Sequence, residues 1–230
     1  MGYIYCYLKF FEQERYARDF LQGNLRMNAL GFFKDLENAG DGRNDRFEGP
    51  HSWLQPAQLG EIQIGDICIP ASELAGATVV QYHNLNAVNV LCLYTMTPDG
   101  FGSLTDATLE AFRQHMRVPQ SSIDMGPYAV LVHKPQTFHD RIVAAARKEG
   151  CTLSSGLVEY FDADIFSGAL PNPLFAKRNE FKAQREYRFA LDRRDASVEP
   201  YTLKVGPLHD TCTLVDSSKI NEQLTFNLPR

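Results

Sequence analysis

The sequence predicts an α+β fold: a single domain on a mixed, mostly antiparallel sheet flanked by helices. Three observations carry this. Short aromatic and β-branched runs recur along the whole chain. Amphipathic segments of helical period lie between them. No repeat, low-complexity tract or Pro/Ser-rich linker divides the 230 residues, a length suited to one large domain.

Residues 2–10 are aromatic and β-rich and read as a first strand. Residues 12–22 carry Tyr16, Ala17, Phe20 and Leu21 at helical spacing, with Gly23 as the stop. A short extended piece (24–28) and a short helix (29–36) follow, then a turn-rich polar loop over 38–50. Residues 61–70 alternate as a strand that turns at Gly65-Asp66. Residues 77–82 and 87–95 read as a hairpin or as neighbouring strands. A helix capped at Thr105 or Asp106 spans 106–116, a buried strand spans 128–133, and a helix over 138–149 ends at Gly150. Strands are expected at 157–161 and 185–191, a helix at 173–182, and short strands with a turn or helix near 217–221.

Hydrophobic content of 44% and charged content of 22% are those of an ordinary globular protein. A net charge of −5 argues against broad duplex-DNA binding, which needs a basic footprint, but leaves room for a local basic groove. Five dispersed cysteines form no Cys-x-x-Cys pair, and no signal core or apolar span is present. A cytoplasmic protein with free thiols is expected, Cys6 and Cys92 buried in strands, with no membrane partner.

The densest chemistry lies in 177–189, where a charged run passes into a strand. A strand beginning by Gln184 places Gln184 and Glu186 on one face, where they could orient a ribose or a developing cation. An edge-strand Glu186 paired with Arg185 or Arg188 is the plainer alternative. Lys9, ending the first strand, could meet a phosphate or simply be a surface lysine. The loop holding Arg43, Asp45, Arg46 and Glu48 could clamp a diphosphate or neutralise itself in solvent. Tyr94 and Thr95 offer hydroxyls at a strand end. Phosphate-loop, dinucleotide, zinc-protease and serine-hydrolase motifs are absent, and the six histidines lack metal-ligand spacing, so no metal site is expected.

Taken in order, the aromatic first strand, Asn-Asp-x-Phe-Glu-Gly at 44–49, Val-Leu-Cys-Leu-Tyr-Thr at 90–95 and Lys-x-x-x-Phe-x-x-Gln-x-Glu-Tyr-Arg at 177–188 resemble a poorly characterised bacterial and phage family. Some of its members are associated with abortive infection. Arg46 stands where that family has Pro, and Phe181 and Tyr187 where it has Trp. The opening strand, helix, Gly and short strand are also distantly similar to ADP-ribosyltransferases, with Gln184-x-Glu186 in the place of their late Glu motif and Lys9 where they carry Arg or His. That resemblance implies NAD as substrate, catalysis by Glu186 with Gln184, and nucleotide contacts from Lys9, Arg43, Asp45, Arg46, Glu48 and Tyr94. The acceptor would be a protein or nucleic acid. Glu186→Gln is then expected to keep the fold and lower turnover by about 10² or more. Two other readings stand beside it: a non-enzymatic nucleotide- or protein-binding module of a phage or defence system, and a metal-dependent nuclease using Asp45, Glu48 and Glu186.

Overall fold

The computed structural model describes residues 4–35, 45–98, 100–102 and 105–225. β1 (Cys6–Phe11) leads through α1 (Glu14–Leu21) to β2 (Asn24–Ala29) and α2 (Leu30–Asp35). Gly23 stops α1 with φ +83°, and a Cβ there would lie 1.9 Å from the Gly206 carbonyl oxygen. Glycine is therefore required both for the left-handed backbone and for the close approach. β3 (Pro50–Leu54), β4 (Glu61–Ile64), β5 (Ile67–Pro70), β6 (Thr78–Gln81) and β7 (Asn89–Met96) follow. α3 (Asp106–Met116) starts from a capping box of Thr105 and Thr108. Next come α4 (Gln120–Ile123), β8 (Tyr128–Val132) and α5 (Pro135–Lys148). The chain closes with β9 (Thr152–Leu157), β10 (Glu159–Phe161), β11 (Gly168–Ala169), β12 (Ala176–Arg178), β13 (Glu186–Asp192), β14 (Tyr201–Lys204), β15 (Cys212–Asp216) and α6 (Ile220–Gln223).

The α+β expectation holds, with a sheet that is mostly antiparallel. β13 runs along one edge of β7, from Glu186 opposite Tyr94 to Leu191 opposite Asn89. The other edge of β7 is shared. β1 pairs its C-terminal end, with Leu8 opposite Tyr94, and β2 pairs its N-terminal end, with Asn28 opposite Val90. Between those two pairings the sheet splits. β8 and β15 extend it beyond β1, β14 beyond β2, and β9 beyond β13, all antiparallel. β10 and β12 form a parallel pair, and β11–β3–β6 and β4–β5 form small antiparallel sheets.

Period-two alternation gives the main sheet two unlike faces. Tyr7, Leu91, Leu93, Tyr187 and Phe189 pack on one, against Phe20 of α1 and Phe138 and Ile142 of α5. The opposite face carries two smaller cores. Leu8, Tyr94 and Met96 meet Phe112 and Met116 of α3, while Val90 and Ala190 meet Leu30 and Phe175. The split lies between these cores, so this face is left incompletely filled there.

Several expectations need correction. Residues 77–82 and 87–95 form neither a hairpin nor neighbouring strands: β6 pairs β3 in a small sheet, and β7 enters the main sheet. Residues 173–182 are not one helix. A 3₁₀ turn at Pro173–Phe175, β12, and a 3₁₀ helix over Asn179–Gln184 replace it. Pairing of β12 with β10 overrides the helix-favouring composition, as tertiary partners commonly do. The strand expected at 157–161 breaks at Val158, whose N–H turns to the Glu186 carbonyl. All five cysteines are unpaired, yet Cys6 and Cys92 are half-buried rather than buried. No described helix is long and apolar enough to cross a membrane.

Candidate functional site

Two segments 140 residues apart meet on the split face. Glu48 and Glu186 supply two carboxylates there, and Lys177 and Arg188 supply two cations. They close into a ring of alternating charge. Glu186 Oε1 accepts from Arg188 Nε at 2.7 Å, and Glu186 Oε2 from Lys177 Nζ at 2.7 Å. Glu48 Oε1 accepts from Arg188 Nη1 at 2.9 Å, and Glu48 Oε2 lies 3.3 Å from Lys177 Nζ. All four side chains are at least nine-tenths buried. Arg188 also donates to the Leu174 carbonyl at 2.6 Å, and the Glu186 N–H donates to the Tyr160 hydroxyl at 2.9 Å.

The ring answers the cost of burying charge. Isolated buried ions lose several kcal/mol of hydration each, and only close, well-bonded partners return it. Burial by itself would raise the Glu186 carboxyl, but the Arg188 and Lys177 charges outweigh it and hold the pKa far below 4.5. Burial would likewise lower Lys177 and Arg188, and the two glutamates hold both above their ordinary values. Burial pushes the Cys92 thiol up to about 12, with the Glu186 charge adding to it. At neutral pH Glu186 is thus an anion, Lys177 and Arg188 are cations, and Cys92 is a neutral thiol.

Gln184 and Glu186 do converge, though not by the alternation the sequence implies. β13 begins only at Glu186, and Gln184 ends a 3₁₀ helix. Between them Arg185 adopts a left-handed backbone, φ 38° and ψ 52°, which is costly for a residue with a Cβ. The bend is held from both sides. The Arg185 carbonyl accepts from Thr95 N and Oγ1, at 2.9 and 2.6 Å, and Arg185 Nη1 donates to the His115 carbonyl at 2.6 Å. The result brings Gln184 Oε1 to 2.9 Å from Lys177 Nζ, beside the Glu186 carboxylate. β13 is flanked on both sides by β7 and β9, so Glu186 is not on an edge strand. Its bond to Arg188 is present, but buried.

Above the ring lies a cavity of about 420 Å³. Glu48, Lys177, Gln184, Glu186 and Arg188 form its polar base, together with Cys92 and Tyr94 of β7. β1 contributes Lys9 and Phe10, β2 contributes Arg26 and Asn28, and α2 contributes Phe32 and Phe33. Lys9 sits at the split and donates to the Cys92 carbonyl at 3.0 Å, on the strand whose ladder β1 has left. Arg26 and Asn28 alternate with Leu25, Met27 and Ala29, which are buried in the sheet.

The structure thus gathers Lys9, Glu48, Tyr94, Gln184 and Glu186 around one cavity. Asp45 and Arg46 are not in its lining. Asp45 is buried against Arg178 at 3.0 Å, with burial and Glu48 raising its pKa, and the exposed Arg46 stacks on Phe47. Arg43 lies outside the described residues. Lys177 and Arg188 complete the ring, and their part in it is set by contacts distant in sequence. Arg26, Asn28, Phe32 and Phe33 escaped the sequence reading, although the alternation of residues 24–29 marks Arg26 and Asn28 as the polar side of a strand.

A nuclease centre on Asp45, Glu48 and Glu186 does not match this geometry. Asp45 faces Arg178, and the place between Glu48 and Glu186 that a divalent cation would occupy is taken by Lys177 Nζ and Arg188. Among the described residues no cluster of three or more His, Cys, Asp or Glu side chains is arranged to hold a metal ion. No protein-family model, curated protein or solved structure matches this chain.

Proposed function

We propose that the chain binds NAD or a related nucleotide in the cavity where the sheet splits. The observation that carries this reading is the charge of the lining. The base ring neutralises itself, and Arg26 adds a further cation to the lining. A cavity of that charge favours an anionic ligand. Its volume falls in the range of roughly 300–1,000 Å³ used by small-molecule sites. Phe32 and Phe33 add ring surface beside the cations, which suits a base next to a phosphate. Calorimetric titration with NAD, ADP-ribose and AMP tests the reading. Saturable binding that weakens as salt is raised is expected, and no heat with any of the three ends it.

A second reading, ADP-ribosyl transfer, draws on Glu186, ionised at neutral pH, with Gln184 beside it. In that reaction the bond from the ribose C1′ to the nicotinamide nitrogen breaks, and nicotinamide leaves with the bonding pair. An acceptor nucleophile of a protein or nucleic acid forms the new bond to C1′ and loses its proton to solvent. A fixed carboxylate would stabilise the cationic ribose between these steps. Nicotinamide release from NAD, with and without cell extract, decides between transfer and binding alone. The setting of phage encounter or abortive infection rests on the resemblance of residues 44–49 and 177–188.

A further inference from the structure

The mouth of the same cavity carries two side chains that the ring does not engage, Arg26 and Phe32. Arg26 projects from the polar side of β2 and is exposed. Among the described residues its side chain makes no hydrogen bond or ion pair, so its guanidinium has no internal anion to pair with. Phe32, on the following helix, also lines the cavity and is 43% exposed, so its ring is open to a ligand entering there. Its edge-on contact with Phe33, at 5.5 Å between centroids and 84°, steadies the ring.

We infer that Arg26 and Phe32 form a paired subsite for a nucleoside 5′-phosphate, Arg26 bonding the phosphate and Phe32 stacking on the base. This inference rests on the nucleotide reading above and deepens it. Guanidinium forks match phosphate oxygens bidentately, and an exposed ring offers a stacking face that every base can use. The ligand class is therefore phosphate-bearing nucleotides in preference to nucleosides.

The test compares binding of AMP and adenosine to the full chain and to Arg26→Gln and Phe32→Ala. Both side chains are exposed, so unchanged circular dichroism and urea midpoints are expected for each variant. Wild type should bind AMP about tenfold or more tightly over adenosine, the scale of one charge-assisted contact. Arg26→Gln should bring AMP down to the adenosine level and leave adenosine unchanged. Phe32→Ala should weaken both ligands together. Arg26→Gln preserving the AMP preference, or Phe32→Ala leaving adenosine binding intact, overturns the subsite while nucleotide binding stands. Equal wild-type affinities for the two ligands also overturn it. No binding of either ligand or of NAD overturns the subsite and the nucleotide reading together.

Discussion

Glu186 owes its charge to its neighbours. Both carboxylate oxygens are engaged, one by Arg188 and one by Lys177, in a site almost closed to solvent. This reverses the expectation that Glu186→Gln is harmless to the fold. Removing that negative charge leaves two buried cations sharing Glu48, and unpairing a buried ion costs about 3–5 kcal/mol. Urea unfolding of Glu186→Gln should show a loss of that order, so any fall in turnover must be normalised to folded protein. A cycle of Glu48→Gln and Lys177→Met should show about 0.5–3 kcal/mol of coupling, since the two share one network. The ring also sets an acid limit. The depressed Glu186 pKa contributes stability that is complete above 4.5 and is lost as pH falls toward the folded value. Asp45 opposes it, because a raised carboxyl gains stability when protonated. Lys177, raised above 10.5, contributes stability that is complete below that value and is lost as pH rises from there through its folded pKa. Unfolding midpoints should therefore fall with acid below about pH 4.5, and Glu186→Gln should flatten that decline.

At the scale of elements, the site depends on where strands stop. β1 and β2 each hold part of one β7 edge, and the gap between their pairings opens the cavity. The left-handed Arg185 starts β13 late and folds Gln184 back toward Lys177. Gly23 sets how β2 leaves α1, and so where Arg26 stands. Gly23→Ala meets both an unfavourable φ and the Gly206 backbone. A loss of about 2–5 kcal/mol is expected, about 1–2 from the left-handed conformation and the rest from overpacking. Gly65, at φ +59° with open space around it, isolates the first effect. Gly65→Ala should cost only about 1–2 kcal/mol in the same urea experiment.

For the molecule as a whole, one face of the main sheet is closed by α1 and α5, and the other is divided between two cores with a cavity between them. A ligand seated there binds the folded chain and not the unfolded one. NAD at a hundredfold excess over its dissociation constant should add about 2.7 kcal/mol to unfolding stability. Urea midpoints with and without NAD read this directly. No change at any concentration would place NAD outside the ligands of this cavity.

Much of this was legible in residue order. Aromatic and β-branched runs marked β1, β7, β8 and β13, and Gly23 and Gly150 marked helix ends, because strand propensity and backbone sterics act within a few residues. The polar segments 45–48 and 184–186 stood out for the same local reason. What residue order left open was which cations belong to which carboxylates, and why residues 176–178 are a strand. Those depend on β12 finding β10 and on Glu48 finding Lys177 and Arg188 across more than a hundred residues. Local propensity carries no record of such pairings. Only the packed chain removes water from four charges at once, and that desolvation makes the ring close.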